Sequence, residues 1–260
     1  MNKLGIAVIS LLNNKYNKSE LFDGKSSAEW VRDITEQLDC VTLRHYIQED
    51  NSELSFYQTV FPETMPVKAE VYPLLQSCVK DFNGCDSVLF IYSDAPLNCV
   101  AVLKELLELH ENEMAEYSFT ENYPGGIGGE VLAFQTIEKL KNIASGNNEA
   151  FQRNSLSKII HFDVNQYDVE VLVAERDSRM ERLDLVCDSQ RNFLICQKLF
   201  KSLASNNQTV SLEEIYQAMD SQPGFMRSSP AYIEIEITNE CQCQCDICPR
   251  THLMKREGRS

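Results

Sequence analysis

Ser87-Val88-Leu89-Phe90-Ile91-Tyr92 runs without a charge into Ser93-Asp94-Ala95-Pro96. An uninterrupted apolar run bounded by a turn signal predicts a strand buried on both faces, as in a parallel sheet covered by helices. Strand and helix patterns alternate outward from it through residues 3–205. Leu4–Leu11 reads as an apolar strand. Ser26 with Glu29 three residues on forms a capping box that opens a helix to about Leu38. Cys40–His45 is the next strand, Val67–Phe82 and Asn98–His110 are helices, and Glu116–Thr120 is a strand. Glu130–Ile143 reads as a helix, Val169–Ala174 and Arg182–Val186 as strands, and Phe193–Leu203 as a helix. This order predicts an α/β fold with a mixed, mostly parallel sheet flanked by helices. Ala144–Asn154 and Ser205–Gln208 are the most linker-like stretches. Ser211–Met219, followed by Pro223, Gly224 and Pro230, reads as a short helix and an extended turn.

Three segments resemble the nucleotidyltransferase (GT-A-like) fold used by cytidylyltransferases. Leu21-Phe22-Asp23-Gly24-Lys25-Ser26 resembles the Gly-Lys segment before the first long helix. Tyr92-Ser93-Asp94-Ala95-Pro96 resembles a strand-end Asp-x-Pro. Arg182 to Asn192 resembles a late strand with a second aspartate, Asp188, before a helix. The resemblance implies that Asp94 and Asp188 hold Mg²⁺ and that Lys25 contacts the nucleotide. Chemistry agrees, since Mg²⁺ prefers one or two carboxylates plus substrate phosphates. Each residue also has an ordinary use: Asp94 as a turn residue before Pro96, Asp188 as a helix N-cap, Lys25 as a solvated lysine. The family's Gly-rich phosphate loop is missing, because Ser10 to Lys18 contains no glycine. The expectation is therefore a domain that keeps the fold, has lost or changed the chemistry, and recognises a substrate or partner. An active Mg²⁺-dependent cytidylyltransferase and a non-catalytic binding module are the alternatives. Tyr123-Pro124-Gly125-Gly126-Ile127-Gly128-Gly129-Glu130 lacks the Lys-Ser/Thr of a P-loop, which leaves a flexible turn or a ligand-contacting loop.

A second pattern lies near the C-terminus. Tyr232-Ile233-Glu234-Ile235-Glu236-Ile237-Thr238 alternates like a strand and leads into Cys241, Cys243, Cys245 and Cys248. Three thiols spaced x3 then x2 can hold three irons of a cubane and leave the fourth open. The segment resembles the radical S-adenosylmethionine (SAM) superfamily, and specifically its spirochaete SPASM-type members. Resemblance implies a [4Fe-4S] cluster on Cys241, Cys245 and Cys248, with SAM at the open iron. Ile247, in place of an aromatic residue, and the extra Cys243 depart from that pattern. Zinc binding and inert thiols compete with this reading. A radical-SAM barrel needs more βα units of ~30 residues than remain, so the chain reads as the N-terminal part of a longer protein. The implied division is 1–205 nucleotidyltransferase-like, 206–229 connector, and 230–260 the first strand and cluster loop of a radical-SAM (βα) barrel.

The 260 residues carry a formal net charge of −15, which argues against general nucleic-acid binding and against a membrane surface. No apolar run approaches the ~20 residues of a spanning helix. Ten cysteines without a secretory leader suggest reduced thiols and a cytoplasmic protein. The substrate, peptide, protein or small molecule, is not legible.

Overall fold

The computed structural model describes residues 3–11, 16–146, 149–178, 181, 183–203, 210–226, 233–235, 248–249, 253 and 256. By compactness the chain divides into Met1–Ser228 and Ser229–Ser260.

The first unit is built on seven strands: β1 (Leu4–Ile9), β4 (Thr42–Gln48), β5 (Thr64–Val67), β6 (Ser87–Tyr92), β7 (Tyr117–Glu121), β8 (Glu130–Ala133) and β9 (Val169–Val173). Their spatial order is β5-β4-β1-β6-β8-β7-β9. β4 and β6 both pair with β1 in parallel, and β7 pairs with β9 in parallel. β8 alone runs the other way, between β6 and β7. A short hairpin, β2 (Glu20–Phe22) and β3 (Lys25–Ser26), precedes α1 (Ser27–Thr35). The Ser26–Glu29 capping box forms, with Glu29 accepting from the Ser26 backbone at 2.7 Å. The other helices are α2 (Leu54–Val60), α3 (Val71–Asp81), α4 (Val100–Asn112), α5 (Phe134–Ile143), α6 (Ser155–Phe162), α7 (Gln190–Leu203) and α8 (Leu212–Ser221).

β6 explains the layering. Its Val88, Phe90 and Tyr92 point into a core shared with α3, α5 and α6, while Leu89 and Ile91 point into a core shared with α1, α2 and α4. The two-residue period of a strand thus feeds two helical layers, which is why its sequence is apolar throughout. A third cluster packs α7 and α8 against Leu21, Leu183 and Leu185.

Two sequence expectations differ. Glu130–Ala133 is strand β8 rather than the first turn of a helix, because Val131 and Leu132 fill the place between β6 and β7. In the expected strand over 182–186, the described residues form an isolated parallel bridge, Gly125 with Asp184. Residue 182 lies outside the described set.

Candidate functional site

Parallel strands deliver their C-terminal ends to one edge of the sheet, where open α/β sheets bind ligands. Here β1 and β6 end side by side, with Ser93 donating its N–H to the Ile9 carbonyl at 3.0 Å. Ser10, Ser93, His45 and Asn17 are buried there and joined in a chain. Thr64 Oγ1 gives its proton to the Phe61 carbonyl at 2.6 Å. His45 Nδ1 must therefore donate to Thr64, which leaves Nε2 to accept from Ser10 Oγ at 2.8 Å. Ser93 Oγ then donates to Ser10 Oγ at 2.7 Å and receives Asn17 Nδ2 at 2.7 Å. Burial pushes the His45 pKa down to about 3, which keeps the ring neutral. Asn17 Oδ1 ends the chain, buried without a partner. The end of β1 is therefore filled by side chains rather than lined by glycine backbone; Leu12 to Lys15 lie outside the described residues.

Asp94 follows β6 directly and is buried, its side chain 3% exposed. The Cys187 N–H donates to the Asp94 carbonyl at 2.7 Å, which puts the Asp188 backbone next to that of Asp94. Arg153 Nη2 donates to Asp94 Oδ1 at 2.6 Å. Burial works against the Arg153 charge, but Asp94 outweighs it, with Tyr92 and Asp188 adding smaller pulls, and the guanidinium is held protonated more firmly than usual. Asp188 accepts from Asn192 Nδ2 at 2.8 Å. The N-cap position of α7 goes to Ser189, whose Oγ accepts from the Asn192 N–H at 3.3 Å. Asp188 thus stands beside the cap, its carboxylate held by Asn192 and its backbone one residue from the Cys187–Asp94 hydrogen bond.

A cleft of about 340 Å³ opens beside Arg153, lined in part by Phe119, Tyr123, Glu130 and the Gly125–Gly129 backbone. Tyr117 O–H donates to Glu130 Oε1 at 2.6 Å, and Oε2 is buried without a partner. Burial pushes the Glu130 carboxyl up to about 7, against the opposing Tyr117 hydrogen bond and Arg153 charge. The Gly-rich loop is a packed wall. Asn98 clamps Gly128 from both sides, donating to its carbonyl and accepting from its N–H, each at 2.7 Å. A Cβ at Gly128 would stand 2.2 Å from Thr120 Oγ1, and its φ is +92°. A larger hollow, about 550 Å³, lies beside Asp39, Asp86 and His110. It sits at the N-terminal ends of β1 and β6, away from both aspartates.

Lys25 lies against side chains of α1. Its Nζ pairs with Asp33 at 2.6 Å and lies 5.1 Å from the Trp30 ring centre. Sequence reasoning missed Arg153 and Glu130. Arg153 sits at the end of a stretch that reads as linker, and no local pattern marks it; Glu130 is masked by its place in a helical pattern.

Solved structures with the same architecture identify the frame. A cytidylyltransferase from Leptospira borgpetersenii superposes with a TM-score of 0.74 at 12% identity, covering 90% of this chain and 100% of that one. The fold is nucleotidyltransferase-like. A 4-diphosphocytidyl-2C-methyl-D-erythritol synthase from Anaerococcus prevotii matches with a TM-score of 0.57 at 10% identity, over 76% of this chain and 96% of that one. The manganese complex of Rv0371C from Mycobacterium tuberculosis matches with a TM-score of 0.52 at 10% identity, over 66% and 89%. No protein-family model matches the sequence, and neither does any curated protein.

This nucleotidyltransferase-like fold overturns the radical-SAM reading drawn from Cys241, Cys245 and Cys248, with its [4Fe-4S] cluster and SAM. The likeness spans 90% of the chain and is to cytidylyltransferase architecture, with no radical-SAM barrel. Among the described residues, no group of three or more Cys, His, Asp or Glu is placed to hold a metal ion. The strand expected over Tyr232–Thr238 is not formed at 233–235, where Ile233 and Ile235 are 66% and 75% exposed. Cys241, Cys243 and Cys245 lie outside the described residues, and Cys248 is a half-buried free thiol. At 233–235 the alternation of Ile with Glu satisfies the strand pattern, but the described residues there pair with no strand.

One of the solved structures with this fold is a manganese complex. Two carboxylates from adjacent backbones are too few for an all-protein cage but match the sparse set that Mg²⁺ uses with water and phosphates. Among the described residues no helix is long and apolar enough to cross a membrane.

Proposed function

We propose that this protein binds a nucleoside triphosphate together with a divalent cation and transfers its nucleotidyl group to a small acceptor, in the manner of a cytidylyltransferase. The observation that carries the reading is the placement of Asp94 and Asp188 on adjacent backbones at the C-terminal end of the central strand. A cation held by those two carboxylates would offset the phosphate charge as it develops at the leaving pyrophosphate. The chain's own groups do the rest. Arg153 offers a guanidinium to phosphate oxygens, a match for its planar fork. The cleft at Phe119, Tyr123 and the Gly125–Gly129 backbone receives the acceptor and holds it beside Arg153. An acceptor oxygen attacks the α-phosphorus and pyrophosphate departs. Lys25, engaged by Asp33, is left out of the site. Cytidylyltransferases among the structural relatives make CTP the first nucleotide to test.

Calorimetry with CTP, UTP, ATP and GTP, with and without Mg²⁺, tests the proposal. We expect CTP binding that requires Mg²⁺ and is lost in Asp94→Ala. Absence of nucleotide binding in Mg²⁺ would overturn it. The side chains of Ser10 and Asn17, packed where phosphate-cradling backbone is expected, favour a second reading as a binding-only module. CTP bound equally with and without Mg²⁺ would support that reading instead.

A further inference from the structure

Arg153 is built into its position. Phe151 N–H donates to the Ala69 carbonyl at 2.9 Å, and Tyr92 O–H donates to the Arg153 carbonyl at 2.9 Å. The guanidinium lies 4.2 Å from the Tyr92 ring centre and bonds Asp94 at 2.6 Å. Its side chain is only 35% exposed. A solvated surface arginine would gain little from such a pair, since the entropy of holding it offsets the attraction. Here the backbone on either side is fixed, and the face of the Tyr92 ring already receives the guanidinium. Asp94 and Asp188 both pull on this one guanidinium, which in turn acts on Glu130.

We infer that Arg153 is an internal counter-cation that occupies Asp94 in the absence of nucleotide and competes with the divalent ion for that carboxylate. This rests on the metal-dependent reading above. The consequence is ordered use of the site. A cation arriving alone meets a positive charge already on Asp94 and binds weakly. A triphosphate offers Arg153 other oxygens, frees Asp94, and so draws the cation in. Arg153 thereby opposes the cation alone and makes metal binding conditional on nucleotide.

Manganese titration of the full chain, reading free Mn²⁺ by electron paramagnetic resonance, tests this. Asp94→Asn serves as the baseline for Mn²⁺ held elsewhere on an acidic surface. Without nucleotide, Arg153→Ala should bind Mn²⁺ about tenfold more tightly than wild type at the Asp94-dependent site, as expected when a like charge within a few ångströms is removed. With CTP present, the same variant should bind the nucleotide more weakly, because a phosphate contact is gone. The two opposite shifts are the signature; a purely structural role would weaken both. Arg153→Gln, which keeps a hydrogen bond to Asp94 without the charge, carries the same expectation should the alanine variant fail to fold by circular dichroism. Mn²⁺ affinity unchanged or weakened in these variants, while wild type still binds Mn²⁺ with CTP, overturns the inference alone. No Asp94-dependent Mn²⁺ binding in any variant, with or without CTP, overturns the metal-site reading and the inference with it.

Discussion

Burial fixes the protonation of His45, and the effect on stability has a definite sign. The ring is stacked between Tyr57 and Phe61, with centres 5.1 and 4.6 Å away, and its pKa falls to about 3. The unfolded imidazole titrates near ~6.5. Between those values the unfolded chain takes up a proton that the folded one refuses, so stability is lost as pH falls from about 6.5 towards 3. Replacing His45 with Gln removes this component. The stability difference between wild type and His45→Gln should shift by about 2–3 kcal/mol in favour of the variant between pH 7.5 and 4.5. Urea unfolding at the two pH values measures it; parallel losses in both proteins would show that the imidazole is not the sensor. Asp94 was legible through its resemblance to a strand-end Asp-x-Pro, and the structure buries it just past the end of β6. Arg153 was not, since its meaning comes from a partner 59 positions away.

At the scale of elements, the Gly-rich loop shows what a composition signal hides. Its glycines suggest a flexible turn or a ligand-contacting loop, and the structure uses them for close packing. Gly128 needs both a positive φ and room against Thr120, whereas Gly24, with φ +73°, has nothing within 4 Å of a would-be Cβ. Gly128→Ala should therefore cost about 2–4 kcal/mol, strain plus overpacking, and Gly24→Ala about 1 kcal/mol, strain alone. Thermal melts of the two variants give the comparison, and equal losses would mean the loop yields freely. The same loop positions the cleft beside Arg153, so the Gly128 variant should also weaken nucleotide-linked acceptor binding. Helices and strands with strong local signals were legible: the Ser26 capping box and the apolar β6 appear where the residues place them. β8 was not, because four residues inside a helical pattern become a strand only when β6 and β7 offer edges to pair with.

For the whole molecule, the first unit carries every feature on which the proposed chemistry rests. The three buried clusters draw only on residues from Leu4 to Met219. The sheet, Asp94, Arg153, Asp188 and the cleft all lie within the same span. α8 belongs to that unit as well, since Ile215 and Met219 are buried against α7 in the third cluster. A chain ending at Ser228 therefore loses no buried apolar residue described in these cores. It should fold cooperatively, with a melting temperature within about 3 °C of the full chain, equivalent to roughly 1 kcal/mol for this size. It should also keep the same Mg²⁺-dependent CTP affinity, because Asp94, Arg153, Asp188 and the cleft all belong to the first unit. Circular-dichroism melts and calorimetry on the two chains make the comparison. Loss of nucleotide binding in a well-folded shortened chain would show that the C-terminal segment contributes to the site.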